Sequence, residues 1–386
     1  MYRKTMGVAT VAALAISMSL SAGAQASTAS WSINPVITGL NEPRGLAFDG
    51  TGALYIAEAG TAGSGTQGIT RTGAISKYDW NGGSFTPSWS TPFTSIYIAE
   101  GGDTSVLGPA AVATTGTGCL QHDPAELSHC RVLAILSESH DGLKAQTGMN
   151  IPQMGHLYRL NSRTGTYTSR SNVGDQDYAW TGDHKSLFPD DFPDANPYAV
   201  LRTRGPDGLR TFTADAGANT ISENLRGGES RVISYIPNET SGAFRDATPT
   251  CIAQGPDGWL YVGTLDLASN FMAPGASNVW RVNPNSTDWQ HNATLWGTGY
   301  TTIDGCAFDR QGNFWASELF YPNTAGPPGD LAMAPFEHPS NITHIGGGSI
   351  PLPGGIAQGR DGAMYVSAGV ADTTANSGAI FRVARN

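Results

Sequence analysis

Long amphipathic helices are missing from this sequence. After residue 26 no window sustains apolar residues at i, i+3, i+4 and i+7, so very little helix is expected. Charge is scarce too, at 14% Asp, Glu, Lys and Arg, and the cations are outnumbered to a net −10. A surface of that sign argues against nucleic acid and against anionic membranes as partners. No apolar run beyond the first residues is long enough to cross a bilayer, which takes about 20 residues. Catalytic signatures are absent as well: there is no G-x-S-x-G elbow, no H-E-x-x-H and no phosphate loop. Ser139, His140 and Asp141 are chain neighbours. A triad is assembled in space from separate segments, so this run is not one.

What is present begins with a leader. Residues 1–26 carry Arg3 and Lys4, the apolar run VATVAALAI and the small-residue stretch AGAQA, the pattern of a secretory signal peptide. Residues 27–386 are then read as one exported domain, secreted or periplasmic, with a net charge near −12. Four cysteines in an exported chain are read first as disulfides. Cys119 and Cys130 bracket LQHDPAELSH as a stapled loop; zinc held by Cys119, His122, His129 and Cys130 is the alternative. Cys251 and Cys306 remain, either as a second bridge or as two buried thiols.

Glycine is abundant, with 49 residues, and it punctuates a repeat. PRGLAFDGTGALYIAE from Pro43 returns as PTCIAQGPDGWLYVGT from Pro249 and PGGIAQGRDGAMYVSA from Pro353. Six copies begin near Pro43, Pro109, Pro197, Pro249, Ile303 and Pro353, spaced by 66, 88, 52, 54 and 50 residues. In the first, fourth, fifth and sixth, two β-branched and aromatic runs flank the turns DGTG, GPDG, DRQG and GRDG, which predicts hairpins; the second has the Cys119–Cys130 loop at that place and the third is longer there. GAISKYDW, GHLYRLNS, SNVWRVNP and GAIFRVAR supply third strands, and a fourth follows before the next copy. A four-stranded unit cannot bury both faces alone, so the units must stack. A spacing near fifty residues suits propeller blades. The last copy ends after its third strand, and WSINPVITGL opens the mature chain. The fold class expected is an all-β, six-bladed β-propeller whose N-terminal strand, residues 31–38, closes the last blade. An open solenoid or stacked sandwiches are the alternatives.

With the repeats placed, GLNEPRGLAFDGTGALYIAEAG, DANPYAVL, TADAGANTI, GPDGWLYVGTL and GAIFRV together resemble the ScyD/ScyE-type exported propellers. That family is named from the scytonemin pigment gene cluster of cyanobacteria. The resemblance spans nearly the whole mature chain. The paired NPY and ADAGAN segments are its specific part, whereas PDG-LYV fits any NHL-like or gluconolactonase-like propeller. It implies a six-bladed propeller outside the cytoplasm and no settled reaction, so it transfers no catalytic residue. Segment 170–195 and the irregular second copy depart from the pattern.

Candidate site residues fall in two columns of the repeat. The start of the innermost strands offers Arg44, Tyr198, Thr250, Asp304 and Gly354. The end of the second strands offers Glu58, Asp215, Thr264 and Glu318, with Glu138 and Asp266 close by. Carboxylates converging on one axis would hold a hard cation such as Ca²⁺ or Mg²⁺, or act as acid and base. The plainer reading is a set of solvated turn-formers. His140, beside Glu138 and Asp141, is a candidate base or an exposed loop residue. Segment 174–198 carries Tyr178, Trp180, Phe188, Phe192 and Tyr198 among acids, either a binding loop for a flat organic ligand or an ordered cover.

Three functions follow. The first is binding, and cyclising or isomerising, an aromatic natural product at one mouth of the channel. Arg44, Tyr198, Tyr178 and Trp180 would contact this ligand, with no organic cofactor. The second is a metal-dependent lactone or ester hydrolase using Glu58, Asp215, Asp304 and Glu318. The third is a non-catalytic interaction scaffold. Fold analogy separates none of them.

Overall fold

The computed structural model describes residues 30–100, 103–114, 131–188, 193–205, 208–238, 246–322 and 326–386. Residues 1–26, expected to be a leader, the Cys119–Cys130 loop with its zinc alternative, and Phe192 lie outside the described residues.

Six four-stranded antiparallel sheets make the blades, and their inner strands begin at Pro43, Pro109, Pro197, Pro249, Ile303 and Pro353. The inner strands touch their neighbours in a closed ring, blade 6 returning to blade 1. Trp31–Leu40 is the outer strand of blade 6, paired from Trp31 opposite Arg385 to Leu40 opposite Gly378. The ring is therefore sealed by hydrogen bonds between the two ends of the chain, and no sheet edge is left at the seam.

Small residues on the inner strands allow the ring to be this narrow. A Cβ on Gly355 would lie 2.7 Å from the Arg44 carbonyl and 2.7 Å from Gly45 Cα. One on Gly305 would lie 2.5 Å from the Gly354 carbonyl. These contacts are backbone and cannot swing away. We expect Gly355→Ala to cost about 1–3 kcal/mol in urea denaturation, the usual range for overpacking. Gly83→Ala, at a position with nothing within 4 Å, should cost well under that.

The repeated Asp-Gly turn has a second use. Asp49, Asp257, Asp309 and Asp361 each cap their hairpin by accepting backbone N–H groups. Each also accepts from an aromatic of the second strand: Tyr55 at 3.0 Å, Tyr261 at 3.1 Å, Trp315 at 2.9 Å and Tyr365 at 3.1 Å. The motif that advertises the repeat is thus a structural clasp on the tight-turn face.

Insertions gather on the opposite face, where the inner strands begin. Helices α1 (His140–Thr147), α2 (Val173–Asp183) and α3 (Leu267–Met272) lie in its connections, with a small sheet of Gly68–Ile69, Ile96–Glu100 and Asp103–Leu107. The expectation of an irregular loop over 174–198 is corrected by α2. Asn172 caps it by accepting from the Asp175 N–H, and its buried residues include Val173, Asp177 and Thr181, one helical turn apart. The buried stripe is polar, so no apolar periodicity reveals it.

Cys251 and Cys306 form a disulfide with Cα atoms 5.6 Å apart, joining the inner strands of blades 4 and 5. Asn238, Asn285, Asn292 and Asn341 fit the N-x-S/T glycosylation pattern; Asn292 is buried and donates to the Ile233 and Asn283 carbonyls, so it offers no free amide to a glycan.

Candidate functional site

Three residues of the inner-strand column meet at the insertion-bearing end of the axis. Arg44 is buried and clamped by Glu42, whose Oε1 accepts from Nε at 3.1 Å and Nη2 at 2.6 Å. Nη2 also donates to the Val106 carbonyl at 2.7 Å. The guanidinium lies 5.5 Å from the centre of the Tyr198 ring. Tyr198 in turn donates its hydroxyl to Asp304 Oδ1 at 2.8 Å. Blades 1, 3 and 5 are linked by this chain of contacts, because the same strand position in each points to the axis. Thr250, from blade 4, donates to the Ile303 carbonyl at 2.6 Å. Gly354 leaves room for Asp304: a Cβ there would lie 3.2 Å from Oδ2 and far too close to Val370.

Below this network the axis holds a cavity of about 400 Å³. Tyr198, Thr250 and Asp304 form one end, and Ala111, Ala253, Ala307 and Ala357 are among its walls. Arg202, Thr203, Gln254, Phe308 and Gln358 ring the other end. Arg202 also lines a larger cavity with Arg131, Arg170, Arg210 and Arg226, a concentration of cations in an otherwise acidic chain.

At the Tyr198 end burial raises the acids above their ordinary values. Burial pushes the Asp304 carboxyl up to about 6, against the pull of the Tyr198 hydroxyl and Arg44. Burial and the Asp304 charge hold the Tyr198 phenol well above its ordinary value. Burial opposes the charge on Arg44, but Glu42, Tyr198 and Asp304 together keep it firmly protonated. Glu138 is raised by burial and by Asp194 and Asp215, with Arg44 pulling the other way.

The strand-end acids do not join this network. Glu58 Oε2 accepts from the Asn41 N–H at 2.9 Å, Asp215 Oδ1 from Asn196 at 2.7 Å, and Glu318 Oε1 from Thr301 at 2.7 Å. Each acid ties down the turn that leads into its own inner strand. Such turns are tight; Glu42, Thr248, Thr302 and Leu352 occupy the same slot with φ of 48°, 46°, 48° and 42°. Recurrence in four blades marks this as architecture. Neither solvated turn-formers nor an axial cluster, these acids are buried ties to backbone N–H groups. Asp215 pairs with Asp177 of α2, and burial lifts the Asp177 carboxyl to about 7.

Among the described residues, metal-competent groups with donors within 4.8 Å of one another are His140–Asp141–Asp175 and Glu318–Asp330–His344. The proposed set of Glu58, Asp215, Asp304 and Glu318 is not assembled. His140 begins α1, with Nδ1 3.1 Å from Asp141 and Nε2 2.8 Å from Asn150 Oδ1. It is not among the residues lining the channel. Tyr178 and Trp180 do not line it either. Tyr178 packs on Gly142 of α1. Trp180 stacks on His184 at 4.2 Å and meets Trp289 edge-on at 5.0 Å. Helix α2 turns both outward, which a loop reading could not foresee.

Glu42, Asp177, Asp330 and His344 were not singled out in the sequence. Glu42 had a signal: it is the only acid in the slot just before the inner strand, where the other copies carry Gly108, Asn196, Thr248, Thr302 and Leu352.

Fold and cavity together define a closed six-bladed propeller with a polar, titratable end to its axial channel. No family model matches the chain, and no curated protein matches it in sequence. Solved structures do resemble it in fold. A luciferin-regenerating enzyme aligns over 92% of this chain and 95% of its own at 12% identity, with a TM-score of 0.50. The PQQ domain of a pyranose dehydrogenase from Coprinopsis cinerea covers 93% and 96% at 11% identity and a TM-score of 0.49. Virginiamycin B lyase from Staphylococcus aureus covers 92% and 99% at 11% identity and 0.46. At these identities the likeness bears on the fold alone.

Proposed function

We propose that this protein binds a small, flat organic molecule in its axial cavity, and that Tyr198 and Asp304 act on the molecule's polar end. The observation that carries this reading is the Tyr198–Asp304 hydrogen bond at the end of a cavity walled largely by small apolar residues. The resemblance to ScyD/ScyE-type propellers favours an aromatic natural product. The disulfide between blades 4 and 5 agrees with an exported protein.

The chemistry that suits the pair is proton transfer within one molecule. Asp304 accepts a proton from one position of the ligand and returns it at another, which isomerises the ligand or closes a ring with no net gain or loss of atoms. A carboxyl near 6 is ionised at neutral pH yet basic enough to work. The Tyr198 hydroxyl steadies that carboxylate, and Arg44 stabilises negative charge developing beside it. The hydrolase reading needs three or four oxygen donors meeting on the axis, and it has less support because Glu58, Asp215 and Glu318 each accept a backbone N–H of their own blade; no observation favours the scaffold reading.

A thermal-shift screen against aromatic metabolites tests the reading. Tyr198→Phe and Asp304→Asn should weaken any hit by about tenfold each, the worth of one hydrogen bond to a partly charged group. Turnover, where found, should fall below pH 6 as Asp304 takes up its proton. Hits that bind Ala307→Phe, in which the cavity is filled, as well as they bind the parent would sink the proposal.

A further inference from the structure

We infer that Glu318, Asp330 and His344 form a binding site for one divalent transition-metal ion, zinc by geometry, within blade 5. The site is distinct from the axial cavity. Glu318 and Asp330 stand directly opposite each other on the second and third strands. His344 lies on the outer strand opposite Ala332, two residues from Asp330 and so on the same face of the sheet. Phe314, Ala316 and Ala332 share that face and pack toward Tyr300 of blade 4. The trio therefore sits against a hydrophobic wall.

An ordinary ion pair does not account for this cluster. Glu318 and Asp330 are fully buried. Glu318 Oε2 and both oxygens of Asp330 have no hydrogen-bond partner among the described residues. His344 Nδ1 points between them, 3.4 Å from Glu318 Oε2 and 3.3 Å from Asp330 Oδ2. One ring nitrogen carries at most one proton and cannot satisfy two carboxylates at once. A buried carboxylate oxygen left bare is costly, and here there are three.

A metal ion resolves the arrangement. Ligand atoms bound at 2.0–2.1 Å in a tetrahedron are separated by about 3.3–3.4 Å, the edge of that tetrahedron. Both nitrogen–oxygen separations match it. Neutral imidazole with two carboxylates cancels the double positive charge, so the occupied site is neutral. Imidazole also disfavours Ca²⁺ and Mg²⁺, which take oxygen donors. The His344 side chain is 28% exposed, which supplies the entry path and leaves a fourth position for water.

The experiment uses the whole protein, stripped with EDTA and then dialysed against Zn²⁺ alone. Metal analysis should find one zinc per chain, and the melting temperature should rise by several degrees. Co²⁺ in place of zinc should give the intense visible absorption of a tetrahedral site. His344→Ala and Asp330→Asn should lose the bound metal and the cobalt spectrum. His140→Ala, which alters the other histidine–carboxylate group, should keep both. His344 is part-exposed, so its variant decides the matter if Asp330→Asn fails to fold, as circular dichroism would show. Failure of the parent to retain either ion, retention by His344→Ala, or loss in His140→Ala would each overturn the inference.

Discussion

Raising the pH from 5 to 8 should lower the melting temperature of this protein by roughly 5 °C, on a scale of 2–4 °C per kcal/mol or somewhat less for a chain of this size. The cause is a set of buried carboxyls whose folded-state values are raised. Burial lifts Asp304 to about 6 and Asp177 to about 7. Glu42, Glu58, Glu138 and Asp215 move in the same direction, with burial the leading cause in each. A carboxyl that keeps its proton longer when folded contributes stability below its unfolded value, near 4. That contribution is lost as the pH climbs through the folded value. Each such group is worth about 1.4 kcal/mol per pH unit across its window. Asp79 and Glu223 act in the opposite sense and matter only in stronger acid, because their partners hold them below the ordinary range. Asp177→Asn should flatten the slope between pH 5 and 7 and leave the acid-side melting temperature nearly unchanged. A melting temperature that rises between pH 5 and 8 would contradict the assignment.

Removing residues 1–40 should abolish cooperative folding, a far larger effect than removing residues 1–29. The difference is the outer strand of blade 6. It buries Ile37 and Leu40 and sets Trp31 edge-on against Trp315 of blade 5, ring centres 5.6 Å apart. Each buried aliphatic side chain contributes roughly 1.5–3 kcal/mol, and the ladder opposite residues 378–385 is lost with them. Against a total stability of about 5–15 kcal/mol, that loss leaves little. The truncated chain also presents a free edge strand and should aggregate. Size-exclusion chromatography and thermal melts read both effects. A peptide spanning residues 30–41 should restore the monomer in part. A truncated chain that melts like the parent would show that the seam is not what closes the ring.

The architecture was legible because it is written in backbone-level residues. Pro43, Pro109, Pro197, Pro249, Ile303 and Pro353 mark six strand starts, and the turns at Asp49, Asp257, Asp309 and Asp361 mark the register in four of the blades. Repetition multiplies a weak local signal. The axial residues Arg44, Tyr198 and Asp304 were legible for the same reason: a shared strand position in a ring must point to one axis. The strand-end acids shared a column too, and there the inference failed. Glu58, Asp215 and Glu318 each had a nearer claim, the N–H of their own blade's turn, and a column cannot display a hydrogen bond made within one blade. Tyr178 and Trp180 lie in an insertion, outside the repeat, where only the helical turn of α2 decides which way they face. Asp330 and His344 come from third and fourth strands whose registers the sequence left unassigned.

The two ends of the described chain lie side by side, with the Asn386 N–H donating to the Ser30 carbonyl at 2.9 Å. A pulling force applied through those ends would act across the ladder between antiparallel neighbours, opening it one bond at a time like a peeled strip. The same propeller tethered through two outer strands on opposite sides would be loaded in shear, with many bonds resisting together. Mechanical strength in this molecule is thus a property of the attachment points, and a load across Ser30 and Asn386 meets less resistance than one in shear.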